Sequence, residues 1–431
     1  MHCNTSLTHM QFSRNTIFFF ICCISMFIIS CGDDGSLPLT ESTEPIDDIF
    51  TVSEWDKIKS LSPLPDNPPP SPTNRVADNA NASKLGQMFF FDERFSKDAT
   101  IACATCHSPF HGFADVEATS LGNGRGTRNA PTLLNAAYNN WQFWDGRADS
   151  LWAQTIFALE GEKEQAGNRL QFSHLVYKHY KEDYESVFGS LPDLTDTNRF
   201  PKNGKPGDYQ FDNMSDADKI AINSILANIG KAIEAYERLL ISRNSPFDQY
   251  VAGDVNAIGI QAKQGLKVFI REGSCIECHN SPTLTDNKFH NVGLPQGNLP
   301  LDYGRSDGIK QLLENPFNGL GIYSDNTEIP KLILDSLAGS IETDGQFKTP
   351  SLRNVALTAP YMHTGDFPTL KSILSFNRND VTTAEYVGIA ESTRNSGILT
   401  QQEMSDLVEF LQTLTGELPP EHLLQKPKLP E

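Results

Sequence analysis

The sequence is short of cysteine, of positive charge and of long apolar runs, and each shortage excludes something. Eight cysteines are spread over 431 residues, and Cys3, Cys22 and Cys23 lie close to the amino end. Too few remain downstream for a disulfide framework. Lysine and arginine number 35 against 54 aspartates and glutamates, a formal charge of -19. Such an acidic chain is a poor match for nucleic acid and suits a basic or neutral partner. One apolar run stands out, residues 17–29 behind Arg14, and it is too short for a comfortable membrane span. Strand-like alternation is scarce, so the body reads as mainly helical.

The early apolar run reads as the core of a signal peptide. Ile28-Ile29-Ser30-Cys31 resembles a bacterial lipobox, which would make Cys31 the lipidated first residue of the mature chain. Plain secretion and an uncleaved anchor are the competing readings. All three place the body outside the cytoplasm, and the first makes it a cell-envelope lipoprotein, periplasm-facing or in the outer membrane. Residues 32–75 are rich in Asp, Ser, Thr and Pro, ending in Pro68-Pro69-Pro70-Ser71-Pro72, and read as an extended tether that Trp55 docks locally.

Against this background two short stretches stand out, Cys103-Ala104-Thr105-Cys106-His107 and Cys275-Ile276-Glu277-Cys278-His279. Each is C-x-x-C-H, the attachment signature of a c-type haem. Two thiols add across the two vinyl groups of one porphyrin, and the adjoining histidine reaches the iron. By chance a chain of this composition would hold about 0.003 such motifs. The rival reading pools the four cysteines around one zinc ion. A histidine directly after the second cysteine in both copies is what haem attachment requires.

The rest of the chain arranges itself around these motifs. A helical stretch over 84–91 precedes the first. A longer helix over 216–241 is capped by Ser215 with Asp218 behind it, and Ile222, Leu226, Ile229, Ile233, Tyr236 and Leu240 line one face. Ala262, Leu266, Phe269 and Ile270 mark a helix before the second motif. A last helix over 401–414 has Thr400 and Glu403 as a capping box and Gly416 as its stop. Gly86 and Phe90 before the first motif match Gly265 and Phe269 before the second, and Ser-Pro follows both, so the two halves read as a repeat. Residues 191–213 and 315–344 look like surface insertions. The expected division is a leader (1–31), a tether (32–75), an N-terminal haem domain (76–250), a C-terminal haem domain (251–416) and a loose tail (417–431). The fold class expected is mainly α, two c-type cytochrome-like haem domains packed against each other.

Further motifs carry a resemblance. Arg128-Asn129-Ala130-Pro131-Thr132-Leu133-Leu134-Asn135 and Phe143-Trp144-Asp145-Gly146-Arg147 resemble the bacterial di-haem cytochrome c peroxidase family, which includes the MauG-type enzymes. Lys348-Thr349-Pro350-Ser351-Leu352-Arg353-Asn354-Val355 and Thr358-Ala359-Pro360-Tyr361-Met362-His363-Thr364-Gly365 resemble its second-domain signature. The match covers roughly residues 80–415 apart from the insertions.

The resemblance implies two covalently bound haem c groups with unequal roles. The haem on His107 would meet peroxide, and the haem on His279 would receive electrons. Trp144 matches the tryptophan that lies between the two; its plainer reading is a core aromatic. Glu164 matches the distal acid that moves a proton between the two peroxide oxygens. Its plainer reading is a solvated residue of Glu160-Gly161-Glu162-Lys163-Glu164. Relatives commonly hold a calcium ion between the haems, and the matching contributors are Asn129 and the carbonyls of Thr358 and Pro360; a helix cap and a turn are the alternatives. Arg147 is expected beside a propionate and His363 behind the second haem, with a structural role open for both; His290 is expected in a haem-pocket wall, and His111, which could stand in as a ligand of the first haem, at the surface or facing a propionate.

Two departures from the family are informative. Many relatives carry a haem-blocking histidine in the loop after the first motif, where this chain has Asn123. An amide is a poor haem ligand, so an open first haem is expected. The family's Met or Tyr ligand of the second haem falls on Asn377, which leaves that ligand unassigned. The resemblance thus implies a peroxidase that reduces hydrogen peroxide with electrons from a small cytochrome c, a cupredoxin or another protein donor. The alternatives are a MauG-type enzyme that oxidises a residue of a protein substrate, and a non-catalytic electron-transfer cytochrome.

Overall fold

Two pairs of crossed helices carry the fold, and a glycine makes each crossing. The computed structural model describes residues 45–296, 301–337, 342–376, 386–391 and 399–431. Helix Ala80–Phe91, capped by the Asn79 side chain, crosses helix Asp216–Glu237, capped by Ser215. A Cβ at Gly86 would overlap the Ala232 carbonyl, so only glycine allows this backbone approach. Helix Ile260–Ile270 crosses helix Gln401–Gln412 in the same way, with Gly265 against the Asp406 carbonyl. Phe90 then packs on Tyr236 and Phe269 on Phe410, both at 5.2 Å between ring centroids. The glycine–phenylalanine repeat of the sequence is therefore a helix-crossing device.

Each crossing seeds its own core. Leu85, Phe89, Phe90, Trp152, Ile229 and Ile233 belong to the first, and Leu266, Phe269, Phe247, Leu407 and Phe410 to the second. Described strands are confined to one antiparallel pair, Phe289–His290 with Phe347–Lys348. The repeat extends beyond the helices. Asn135 and Asn354 both sit at φ 62°, and their amides donate to the carbonyls of Leu240 and Leu414, at 2.9 and 3.0 Å. Ser242 joins the two halves, its amide donating to Asn135 Oδ1 and its hydroxyl to Asn354 Oδ1, both at 2.9 Å.

Both ends of the described chain correct the expectations. From residue 45 onward the supposed tether is a docked strap. Helix Val52–Lys59 forms behind a Thr51–Glu54 capping box, and Trp55, Ile58 and Leu61 are buried in the second core. Trp55 meets Tyr250 edge-on at 5.5 Å, and Glu54 pairs with Arg271. The strap then reaches the first core, where the Trp152 indole donates to Thr73 Oγ1 at 2.9 Å. The overall Pro and Asp content hid an i, i+3, i+6 apolar series that is enough to dock one short helix. Residues 1–44, including Cys31, lie outside the described residues.

The tail from 417 is not loose either. Helix Glu421–Leu424 buries Leu423 in the first core, and the Tyr236 hydroxyl donates to the Leu423 carbonyl at 2.5 Å. The two insertions are likewise anchored, the first by buried Leu194, Phe200 and Phe211 and the second by Phe317 and helix Glu328–Leu337. A few apolar anchors hold each insertion although its average composition is that of a loop. The long helix stops at Glu237, short of the expected 241.

Candidate functional site

The first C-x-x-C-H motif is a single helical turn, Cys103–Cys106, closed by the His107 amide on the Cys103 carbonyl at 2.9 Å. Gly112 and Phe113 follow at φ 60° and 55°, which turns the chain back so that the Phe113 carbonyl stands 3.1 Å from His107 Nδ1. The second motif repeats this. Leu284 at φ 53° brings its carbonyl to 2.7 Å from His279 Nδ1. A histidine that donates through Nδ1 to a carbonyl presents Nε2 as its ligand atom, the usual outer support of a metal-bound imidazole. Burial lowers the His107 pKa and favours the neutral, ligating form.

Further observations fit a c-type haem at the first motif. Gln165 Nε2 donates to Cys103 Sγ at 3.3 Å, while its Oε1 is buried without a partner. The pooled zinc reading fails among the described residues, because the two cysteine pairs do not gather into one cluster. The single such cluster is Cys278, Asp286 and His290, which uses a haem cysteine. The Cys278 thiol, then Asp286 and Glu391, raise His290 to about 10. His290 spans Asp286 and Glu391, at 2.9 Å from each.

Glu164 lies on a turn just past helix Leu151–Glu160, with its amide on the Gly161 carbonyl at 3.0 Å. It is half-buried. Burial raises its pKa above the ordinary carboxylate value, and Arg147 offsets this in part. Its neighbour in the charged run, Glu160, is taken up by Arg169 at 2.5 Å. The solvated-run reading therefore does not describe either residue. Asn123 is exposed and sits on this turn, its side-chain amide donating to the Glu162 carbonyl at 2.8 Å.

Trp144 is pinned between the two halves. Its indole donates to the Asn129 carbonyl at 2.9 Å, and the Lys348 amide donates to its own carbonyl at 2.7 Å. His363 faces it edge-on at 6.3 Å and stacks on Phe347 at 3.6 Å. Burial lowers His363 to about 4, and its Nε2 is buried without a partner. The Asn129 amide donates to the His363 carbonyl at 2.8 Å, which ties Asn129 to the stretch containing Thr358 and Pro360. Asn129 Nδ2 is spent on the Glu117 carbonyl at 3.0 Å. This leaves Oδ1 as the atom that a hard cation would use.

Arg147 does not stand alone. It pairs with Asp145 at 3.1 Å and lies over Phe143 at 3.4 Å. His111 is exposed, as expected, and Asn377 lies outside the described residues. Three features escaped the sequence reading. Arg128 bridges Asp145 and Asp302 at 2.5 and 2.7 Å. Lys348 is buried, and burial lowers it to about 8. Burial, then Glu234, holds Glu237 well above the carboxylate range with Oε2 unpartnered. Lys348 lies inside a motif already singled out, and Glu237 follows Tyr236 on the apolar face of a helix already recognised, so both had a visible signal.

Comparison with known proteins agrees with this geometry. Residues 80–256 match the family described as di-haem cytochrome c peroxidase. Cytochrome-c peroxidase IdrP1 of Denitromonas iodatirespirans is 31% identical over 390 residues, covering 87% of this chain and 90% of that protein. Cytochrome c551 peroxidase of Pseudomonas aeruginosa is 33% identical over 345 residues, covering 78% and 79%. Methylamine utilization protein MauG of Methylophilus methylotrophus is 31% identical over 355 residues, covering 80% and 85%. Among solved structures, a MauG-like protein associated with microbial copper homeostasis aligns with TM-score 0.58 at 25% identity, over 84% of this chain and 98% of that one. The diheme peroxidase BthA of Burkholderia thailandensis shares the fold, with TM-score 0.59 at 22% identity, over 82% and 91%.

Proposed function

The chain belongs to the di-haem cytochrome c peroxidase family, and from that premise we propose that it reduces hydrogen peroxide to water with electrons from a redox protein. Each turnover breaks one oxygen–oxygen bond, takes up two electrons and two protons, and releases two waters. The two haems, when bound, supply the irons at which that bond is weakened and electrons are stored.

The protein's own residues supply the rest. His107 and His279, oriented by the carbonyls of Phe113 and Leu284, would hold the two irons. Glu164 takes a proton from one peroxide oxygen and returns it to the departing one. The observation that carries the proposal is this carboxyl, half-buried, raised by burial and offset in part by Arg147. Trp144 fills the path between the halves, fixed by Asn129 and Lys348. Asn129, with the carbonyls of Thr358 and Pro360, would hold one calcium ion, and Cys31 would carry a lipid that keeps the enzyme at the cell envelope. The electron donor is a small cytochrome c, a cupredoxin or another protein.

The test is turnover of purified holoprotein with peroxide and a reduced small cytochrome. The proposal expects two donor molecules oxidised per peroxide, and loss of that turnover in Glu164→Gln. Asn123 favours a second reading, oxidation of a protein residue. No consumption of the small donor, together with peroxide-dependent modification of a protein partner, would select it.

A further inference from the structure

Residues 119–126 form a small self-closed hairpin, with a bridge between Leu121 and Arg125 and the Gly126 amide on the Ser120 carbonyl at 2.9 Å. Its tip is Gly122-Asn123-Gly124, and that tip is fastened to the turn that carries Glu164. The Asn123 amide donates to the Glu164 carbonyl at 2.8 Å, the Asn123 side chain to the Glu162 carbonyl at 2.8 Å, and the Gly124 amide to the Lys163 carbonyl at 3.1 Å. Gly122 has no room for a side chain, since a Cβ would stand 2.5 Å from the Glu164 carbonyl oxygen. Three hydrogen bonds and a missing Cβ therefore converge on three consecutive residues, 162–164.

We propose that Asn123 is a positioning residue for Glu164, a latch that fixes the backbone from which the proton-moving carboxylate projects. This deepens the peroxidase reading and rests on it. A carboxylate on an unrestrained turn would sample many positions, and a small misplacement of a catalytic group is costly in rate. The main chains of Gly161 and Asn123 occupy both backbone polar groups of Glu164, and the Asn123 side chain adds the hold on the Glu162 carbonyl that substitution at 123 would release. Arg147 acts electrostatically on the Glu164 side chain, Cys106 lies within electrostatic reach of it, and Glu162 and Lys163 flank it on the same turn. The latch also keeps Glu164 half-buried, so loosening it would hydrate the carboxyl.

The experiment uses holoprotein with Asn123→Asp, Asn123→Ala and Glu164→Gln, alone and combined. Asn123→Asp keeps the size but sets an acceptor against the Glu162 carbonyl. The proposal expects a ten- to hundredfold slower peroxide reaction for either Asn123 variant, with an acid limb moved toward the ordinary carboxylate value. Adding the same change to Glu164→Gln should cost less than about twofold more. Hydrogen exchange of residues 122–124 and 161–166 should quicken in both variants while the melting temperature holds.

Wild-type rates in both Asn123 variants would overturn the latch, and so would an equal loss in the Glu164→Gln background. A wild-type rate in Glu164→Gln alone would instead overturn the peroxidase reading of the site.

Discussion

The Trp144 indole and the His363 imidazole meet edge to face, their ring centroids 6.3 Å apart and their planes at 60°. With the Asn129 carbonyl on the indole nitrogen, the ring is held from two sides. Trp144→Phe keeps an aromatic ring but loses that hydrogen bond, a loss of about 1 kcal/mol in stability. Electron transfer from the second half to the first should slow by about tenfold or more, while peroxide still reacts with oxidised protein. Rapid mixing of donor-reduced protein with peroxide, followed by absorbance, measures both rates.

The pH dependence should carry the signature of Glu164. Its pKa is raised by burial and lowered in part by Arg147. A base that is raised is protonated at a higher pH than an ordinary glutamate, so the peroxide reaction should fall on the acid side above the usual carboxylate range. In Glu164→Gln that limb should disappear. The folded state also binds this proton more tightly than the unfolded state, so the carboxylate loses stability as pH rises through the shifted value. Glu164→Gln should therefore melt higher than wild type at neutral pH, which calorimetry can check.

At the strap the sign is reversed. Arg271 holds Glu54 down at about 2. The stability this pair contributes is present above the ordinary glutamate value and is lost as pH falls toward 2. Denaturant titrations from pH 6 to pH 2.5 should show that loss in wild type and its absence in Arg271→Ala. Trp55→Ala, which empties a fully docked site, should cost about 3–5 kcal/mol.

The helix crossings make a matched pair of predictions. Gly86→Ala and Gly265→Ala each force a Cβ into the backbone of the facing helix. Each should cost at least about 1–3 kcal/mol by overpacking, and each should disturb its own haem spectrum more than the other. An alanine tolerated at either place would show that the helices can separate there.

Much of this was legible in the sequence for physical reasons. C-x-x-C-H is covalent chemistry at fixed spacing, and the Gly–Phe pairs were visible as a repeat, though only the structure shows that they mark helix crossings where nothing larger than hydrogen fits at Gly86 or Gly265. The Ser215 and Thr400 caps are read from local hydrogen bonding alone, and both form. What composition obscured was docking by few residues. Trp55, Ile58 and Leu61 fasten a segment that averages as a tether, and Leu423 fastens one that averages as a tail. Arg128 joining Asp145 and Asp302, 17 and 174 residues away, is set by tertiary approach and leaves no local pattern.

The most direct measurement is the spectrum of fully oxidised holoprotein before and after one equivalent of peroxide. The account predicts two covalently bound haems per chain, one of them high-spin and open, with a spectrum that changes on adding peroxide in wild type and far more slowly in Glu164→Gln. Two low-spin haems that ignore peroxide would contradict it.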